Sequence, residues 1–171
     1  MRLFKENIAF VNFLGKHFAD KPVVGVEIGV NRGVNSESIM KTLNIIRLFA
    51  VDPYLEFELY GNAHVREDEA FRRLSRFNGK VEFVYKKSID AVDIIPNELD
   101  FVYIDGEHTY PTVSSEIRLY YPKLKTGGVL GFDDFSPRCV GVANAVIEFV
   151  FKENLKLMSG KSTDCWVVKG K

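Results

Sequence analysis

The chain has 171 residues, 46% of them hydrophobic, with 23 Lys+Arg balancing 23 Asp+Glu. That length suits one domain with a core of its own, and the zero net charge gives no reason to expect nucleic acid or an anionic membrane as a partner. No apolar run approaches the roughly 20 residues of a membrane helix. The opening MRLFKENIAF lacks the apolar stretch of a secretory signal, so a cytoplasmic protein without a membrane partner is expected.

Phe4, Ile8, Val11, Leu14 and Phe18 recur every three or four residues, which predicts an amphipathic helix broken by Lys21-Pro22. VVGVEIGV is a continuous apolar run, as in a strand covered on both faces. A helix with Ile39, Met40 and Leu43 inward follows, then IIRLFAVD as a second buried strand. The polar and aromatic stretch after Asp52 leads into a helix whose expected inner face is Ala70, Phe71, Leu74 and Phe77. VEFVY and LDFVYID read as the third and fourth strands. Pro111 opens a helix with Val113, Ile117, Tyr120 and Leu124 inward, which Gly127-Gly128 is expected to end before the fifth strand, VLGFDDF. Ser136-Pro137 reads as N-cap and first turn of a helix with Val146, Phe149 and Val150 inside. LKLMS and CWVVKG close the chain as two antiparallel strands.

With no repeat or linker in view, residues 1–171 are expected to form a single domain, an N-terminal helix over 1–20 and a core over 22–171. Alternating buried strands and helices predict an α/β fold. The expected form is a doubly wound, mostly parallel, seven-stranded Rossmann-like sheet with helices on both faces and an antiparallel C-terminal strand. Such sheets bind ligands beyond the carboxyl ends of their strands, and chemistry-bearing residues do follow the strands here.

After the first strand comes Glu27-Ile28-Gly29-Val30-Asn31-Arg32-Gly33, whose glycines permit a sharp turn and close approach of a ligand. The spacing is G-x-x-x-G rather than the G-x-G-x-x-G of dinucleotide folds, and a plain turn would explain it as well. Asp52 ends the second strand, where a carboxylate can accept both hydroxyls of a ribose, whether of NAD or of another nucleoside; it could also start a turn before Pro53. Asp105-Gly106-Glu107-His108 follows the fourth strand and Asp133-Asp134 the fifth. Three carboxylates brought together would repel one another unless protonated or bridged by a cation, and all-oxygen ligands favour Mg²⁺, with Mn²⁺ or Ca²⁺ as alternatives. A helix cap or a pair with Arg138 is the other reading of Asp133-Asp134.

VEIGVNRGVNS, AVDPY, FVYIDGEHTY and YPKLKTGGVLGFDDF together resemble class I S-adenosylmethionine-dependent methyltransferases over roughly residues 22–135. The similarity is to the macrocin-type and cephalosporin-hydroxylase-like group and to catechol-type O-methyltransferases. It implies that Glu27, Gly29 and Gly33 wrap the methionine part of the cofactor and that Asp52 holds its ribose. It also implies that Ser88 and Ile89 border the adenine and that Asp105 faces both cofactor and reacting groups. By the same resemblance Asp105, Asp133 and Asp134 would hold a divalent cation, the 28 positions between Asp105 and Asp133 fitting the catechol-type spacing. Those enzymes place a lysine base three residues after the first Asp. This chain has His108 there, and imidazole can do the same work near neutral pH; holding the loop by a hydrogen bond is the alternative. The implied reaction is O-methylation of a small hydroxylated molecule, a sugar, phenol or natural product.

The rivals are a nicotinamide-dependent Rossmann oxidoreductase and a non-catalytic binding module on the methyltransferase fold. Specificity is expected from loops 53–68 and 106–111, or from a partner subunit in a homo-oligomer. Cys139 and Cys165 read as reduced, buried thiols. Arg72, Arg73 and Arg76 read as a solvated helix face, His64 as a surface residue and Trp166 as core. Tyr54, Phe57 and Tyr60 are candidates for a lid over the cofactor.

Overall fold

The computed structural model describes residues 8–55, 62–160 and 162–170; Phe4, Phe57 and Tyr60 lie outside them. In chain order the elements are α1 (Ile8–Phe18), β1 (Val23–Ile28), α2 (Val34–Thr42), β2 (Ile45–Val51), α3 (Ala63–Leu74), β3 (Val81–Val84), α4 (Ser88–Ala91), β4 (Leu99–Ile104), α5 (Tyr110–Tyr120), β5 (Leu124–Phe132), α6 (Val140–Lys152), β6 (Met158–Ser159) and β7 (Cys165–Val168). The strands form a seven-stranded sheet in the order β3-β2-β1-β4-β5-β7-β6. β1 pairs in parallel with β2 and β4, as do β2 with β3 and β4 with β5, while β7 runs antiparallel to β5 and β6. The sheet is thus the expected doubly wound, mostly parallel one. Its order reverses between β1 and β4, which is where a crevice opens in such sheets.

Strand side chains alternate between two cores, as the two-residue period requires. Val26, Ile28, Phe49, Val51, Val102, Ile104, Leu130 and Phe132 face Val113, Ile117, Val142 and Val146 of α5 and α6. Leu48, Ala50, Phe101, Tyr103, Val129 and Trp166 face Phe10, Leu14, Ile39 and Ala70 of α1, α2 and α3. Phe10 fills the space above Gly131, where a Cβ would meet its ring at 2.3 Å. It stacks on Tyr103 with centroids 4.6 Å apart. Trp166 is core, as expected.

Local departures have physical reasons. α5 ends at Tyr120, because Pro122 shapes a 3-10 turn over Tyr121–Lys123 and Leu124 already belongs to β5. Gly127-Gly128 therefore lies inside β5, pairing with Lys169 through Gly127 N–H to Lys169 O and Lys169 N–H to Gly128 O, both 2.8 Å. Ser136-Pro137 forms a turn closed by Cys139 N–H on the Ser136 carbonyl, and α6 begins at Val140 with Cys139 at the cap position. α3 turns Ala63, Arg66, Ala70 and Leu74 inward, which leaves Phe71 55% exposed over the ring of Phe83. Arg73 and Arg76 are not simply solvated, since both pair with Glu37 of α2 and tie the two helices together.

The four-residue α4, too short to show a period, is locked from α5. Ser88 Oγ donates to Glu116 Oε1 at 2.6 Å, and Tyr120 Oη donates to the Ser88 carbonyl at 2.7 Å. Glu116 Oε2 is covered and has no hydrogen-bond partner among the described residues. Burial pushes this carboxyl from 4.5 up to about 7, against the Ser88 hydroxyl, which lowers it. The folded chain therefore holds a proton that the unfolded chain releases. That contribution to stability is complete below about pH 4.5 and is lost as pH rises through about 7. Glu116→Gln should flatten the fall in urea-unfolding midpoint between about pH 5 and 8 and raise the midpoint at the upper end. An unchanged slope would mean that Glu116 is not the group releasing the proton.

Candidate functional site

The carboxyl ends of β1, β2, β4 and β5 meet at the switch point. β1 ends in Gly29, with φ +87°, and a Cβ there would lie 2.0 Å from the Asp105 carbonyl oxygen. The glycine thus allows the ends of β1 and β4 to touch, held by Asp105 N–H on Ile28 O at 2.8 Å, while Gly29 N–H on Val51 O at 2.9 Å ties the same end to β2. Gly33, with φ +71°, caps the start of α2, and a Cβ there would lie 3.1 Å from Ala70 Cα on α3. Gly29 is required by chain packing, and Gly33 is favoured by its left-handed backbone, before any ligand is considered.

Glu27 sits in the middle of the sheet, fully buried. It accepts from Asn35 Nδ2 at 2.8 Å and from the Ser36 hydroxyl, so the first turn of α2 is anchored on β1. Burial raises its carboxyl from 4.5 to about 7, the Ser36 and Asn35 bonds oppose this, and Asp52 adds to it. Asp52 is also buried. Its Oδ2 accepts from Asn31 N–H at 2.8 Å and its Oδ1 from Tyr54 N–H at 2.8 Å. Asn31 and Tyr54 both have left-handed backbone, φ 51° and 47°, and one carboxylate fixes both. Asn31 Oδ1 and Tyr54 Oη are covered without partners among the described residues, polar atoms that a nucleoside lying over Asp52 could satisfy.

Across the crevice, His108 stands between two carboxylates. Its Nε2 is 3.8 Å from Asp105 Oδ1 and its Nδ1 is 3.4 Å from Asp134 Oδ2. Nε2 is covered and has no hydrogen-bond partner among the described residues. Loss of solvent, then the charges of Asp133, Glu27 and Asp134, hold the Asp105 carboxyl well above the usual range. Asp133 Oδ1 accepts from Asp134 N–H at 2.7 Å and from Thr163 Oγ1 at 3.1 Å. Asp134 is left-handed, with φ 53°. This crowding of carboxylates is what a hard divalent cation relieves, so the donor chemistry fits one. Among the described residues, however, the three donors whose ligand atoms all lie within 4.8 Å of one another are those of His108, Asp134 and Cys139. Asp105 and Asp133 border that group without being drawn as tightly into it.

Ser88 is buried with its hydroxyl turned to Glu116, and Ile89 is 49% exposed, so of this expected adenine pair only Ile89 presents a free side chain. Tyr54 is buried, and the rest of the predicted lid falls outside the described residues. His64 is at the surface, 3.9 Å from Glu67. Cys165 is buried and Cys139 half-buried; both are free thiols. Sequence reasoning missed Glu116 and Arg66. Arg66 is buried on α3 and its Nη2 donates to the Leu55 carbonyl at 2.6 Å. The clue was their helical spacing, Glu116 three residues after Val113 and Arg66 four before Ala70, positions that face inward. The cleft of about 570 Å³ between α5 and α6 contains none of the strand-end residues, so the candidate site rests on the switch point and its chemistry.

Comparison with known proteins bears on the fold and the family. An uncharacterized protein of Acanthamoeba polyphaga mimivirus is 26% identical over 159 residues, 85% of this chain and 69% of that protein. The O-methyltransferase NovP superposes with a TM-score of 0.71 at 18% identity, over 95% of this chain and 80% of that one. SMU.1697c of Streptococcus mutans, solved in complex with SAH, gives 0.71 at 13% identity over 98% and 99% of the two chains. An rRNA methylase from Streptococcus thermophilus gives 0.70 at 14% identity over 99% of both. These structures share the class I S-adenosylmethionine-dependent methyltransferase fold. Residues 26–135, from the β1 strand to the loop beyond β5, match the methyltransferase-domain family, and the chain belongs to that family.

Proposed function

We propose that this protein transfers a methyl group from S-adenosylmethionine to a hydroxyl oxygen of a small molecule. The observation that carries the reading is the position of His108 on the loop after β4, an imidazole set between Asp105 and Asp134 whose Nε2 has no hydrogen-bond partner among the described residues. NovP, an O-methyltransferase, lends the oxygen acceptor support by its fold.

When bound, S-adenosylmethionine supplies an electrophilic methyl on a sulfonium. Asp52, its carboxylate already aimed by Asn31 and Tyr54, accepts the ribose hydroxyls with its remaining lone pairs. The Gly29 turn gives the amino-acid end close access to backbone, and Glu27 fixes α2 behind it. With the Nδ1 proton turned to Asp134, Nε2 of His108 is the acceptor for the hydroxyl proton, and Asp105 and Asp134 stabilise the imidazolium that forms. Asp105, Asp133 and Asp134 would hold a hard divalent cation, Mg²⁺ before Mn²⁺ or Ca²⁺, which when bound lowers the pKa of a coordinated hydroxyl. Most of the rate comes from holding oxygen, methyl carbon and sulfur in line.

Calorimetry should find S-adenosylhomocysteine bound and NAD bound more weakly or not at all. Asp52→Ala should lose about 1.5–3 kcal/mol of cofactor binding, the worth of hydrogen bonds to a charged group. Tighter binding of NAD would overturn the methyltransferase reading. With a methyl acceptor found by screening hydroxylated sugars and phenols, His108→Ala should lower kcat about 10²–10⁴-fold and leave cofactor affinity nearly unchanged; a normal kcat would make His108 structural. Stripping with excess chelator should abolish turnover and added Mg²⁺ should restore it. Full activity in chelator would remove the cation from the reaction and leave the carboxylates as loop-holding residues.

A further inference from the structure

We propose that His108 Nδ1, Asp134 Oδ2 and Cys139 Sγ form a binding site for a thiophilic divalent ion such as Zn²⁺, and that this ion shuts off methyl transfer by occupying the imidazole and the carboxylate that the reaction uses. The inhibitory half rests on the reaction proposed above; the binding half does not.

The Nδ1–Oδ2 distance is 3.4 Å, the Sγ–Nδ1 distance is 4.0 Å, and all three donor atoms lie within 4.8 Å of one another. Around a tetrahedral ion with bonds of about 2.0–2.3 Å, donors stand about 3.3–3.7 Å apart, so small side-chain movements close the set. One nitrogen, one oxygen and one sulfur suit zinc and disfavour magnesium, which takes oxygen. Three protein ligands leave a fourth position for water.

The donors come from two segments, the loop after β4 with His108 and the β5–α6 connection with both Asp134 and Cys139, and one glycine explains how they meet. A Cβ on Gly141 would lie 2.3 Å from the His108 carbonyl oxygen and 2.7 Å from the Tyr110 nitrogen. With no side chain there, the start of α6 seats directly on the loop after β4, and Cys139, two residues earlier at the cap position, is set against the imidazole. Asp134 arrives from the loop after β5, its left-handed backbone held by its own N–H on Asp133 Oδ1 at 2.7 Å.

Coordination displaces the thiol proton to solvent and fixes the histidine tautomer. An ion on Nδ1 leaves the ring proton on Nε2, so no lone pair remains there for a substrate hydroxyl. It also takes Asp134 away from the carboxylates that would hold the hard cation. Cys139 plays no part in the proposed methyl transfer, so the inhibitory site and the reaction can be separated by mutation.

The test titrates metal-free protein with Co²⁺ and follows thiolate-to-cobalt charge-transfer absorption in the near ultraviolet. Cys165 is fully buried, so the band is expected to need Cys139 alone. The wild type should show it, Cys139→Ser and His108→Ala should not, and Cys139→Ser should bind Zn²⁺ at least about tenfold more weakly in chelator competition. In turnover assays with Mg²⁺ present, Zn²⁺ should inhibit the wild type and leave Cys139→Ser, whose uninhibited rate is normal, unaffected. No charge-transfer band, or a band that survives Cys139→Ser, would overturn the site; equal zinc inhibition of both proteins would overturn its regulatory role. An intact cobalt spectrum in a protein that methylates no acceptor would uphold the site and count against the proposed reaction alone.

Discussion

Asp52 holds the candidate site together before any ligand arrives. Its two oxygens take the N–H groups of Asn31 and Tyr54, one on the loop after β1 and one on the loop after β2. Both residues sit in left-handed backbone, a conformation that a side chain other than glycine adopts at a cost. A single buried carboxylate, stabilised by charge-assisted hydrogen bonds, thus sets the shape of two loops and retains acceptor capacity beyond those two bonds. The residue that would recognise the nucleoside is also the residue that builds the place where the nucleoside lies.

The far side of the crevice is organised by crowding of like charge. Asp105, Asp133 and Asp134 stand within reach of one another's fields, and loss of solvent first, then the charges of Asp133, Glu27 and Asp134, make the Asp105 carboxyl hold its proton more tightly than a free one. His108 is the basic side chain drawn in among Asp105 and Asp134. Such a pocket favours positive charge. Imidazolium, a sulfonium or a divalent cation would each be welcome in it.

Much of this was legible in the sequence, for reasons that vary by residue. Buried parallel strands announce themselves as apolar runs, so β1, β2, β4 and the end of β5 could be located, and with them Gly29, Asp52, Asp105 and Asp133 at their ends. Punctuation was harder to read. Gly127-Gly128 looks like a helix stop but serves strand pairing with Lys169, because Pro122 has already ended α5. Ser136-Pro137 looks like a cap but closes a turn three residues early. Phe71 has the hydrophobicity of a core residue, yet Arg66 and Leu74 fix the rotation of α3 and leave Phe71 at the surface. Helical spacing marks Glu116 as inward-facing, but the partners of Glu116 and Cys139 were out of reach, because Ser88 and His108 are 28 and 31 positions away and no local pattern encodes such a meeting.

The contact between Gly29 and the Asp105 carbonyl has a bearing on how this family is to be recognised. The glycine is needed for clearance between two strand ends, whatever occupies the crevice. A descendant that had stopped binding nucleosides altogether would still be selected to keep it, since any Cβ there would drive β1 and β4 apart. His108 is in the opposite position: its Nε2 makes no hydrogen bond among the described residues, so folding gives little reason to retain that nitrogen. In a collection of related sequences the glycine would therefore mark ancestry, and the histidine, under the reaction proposed above, would mark which members still carry it out.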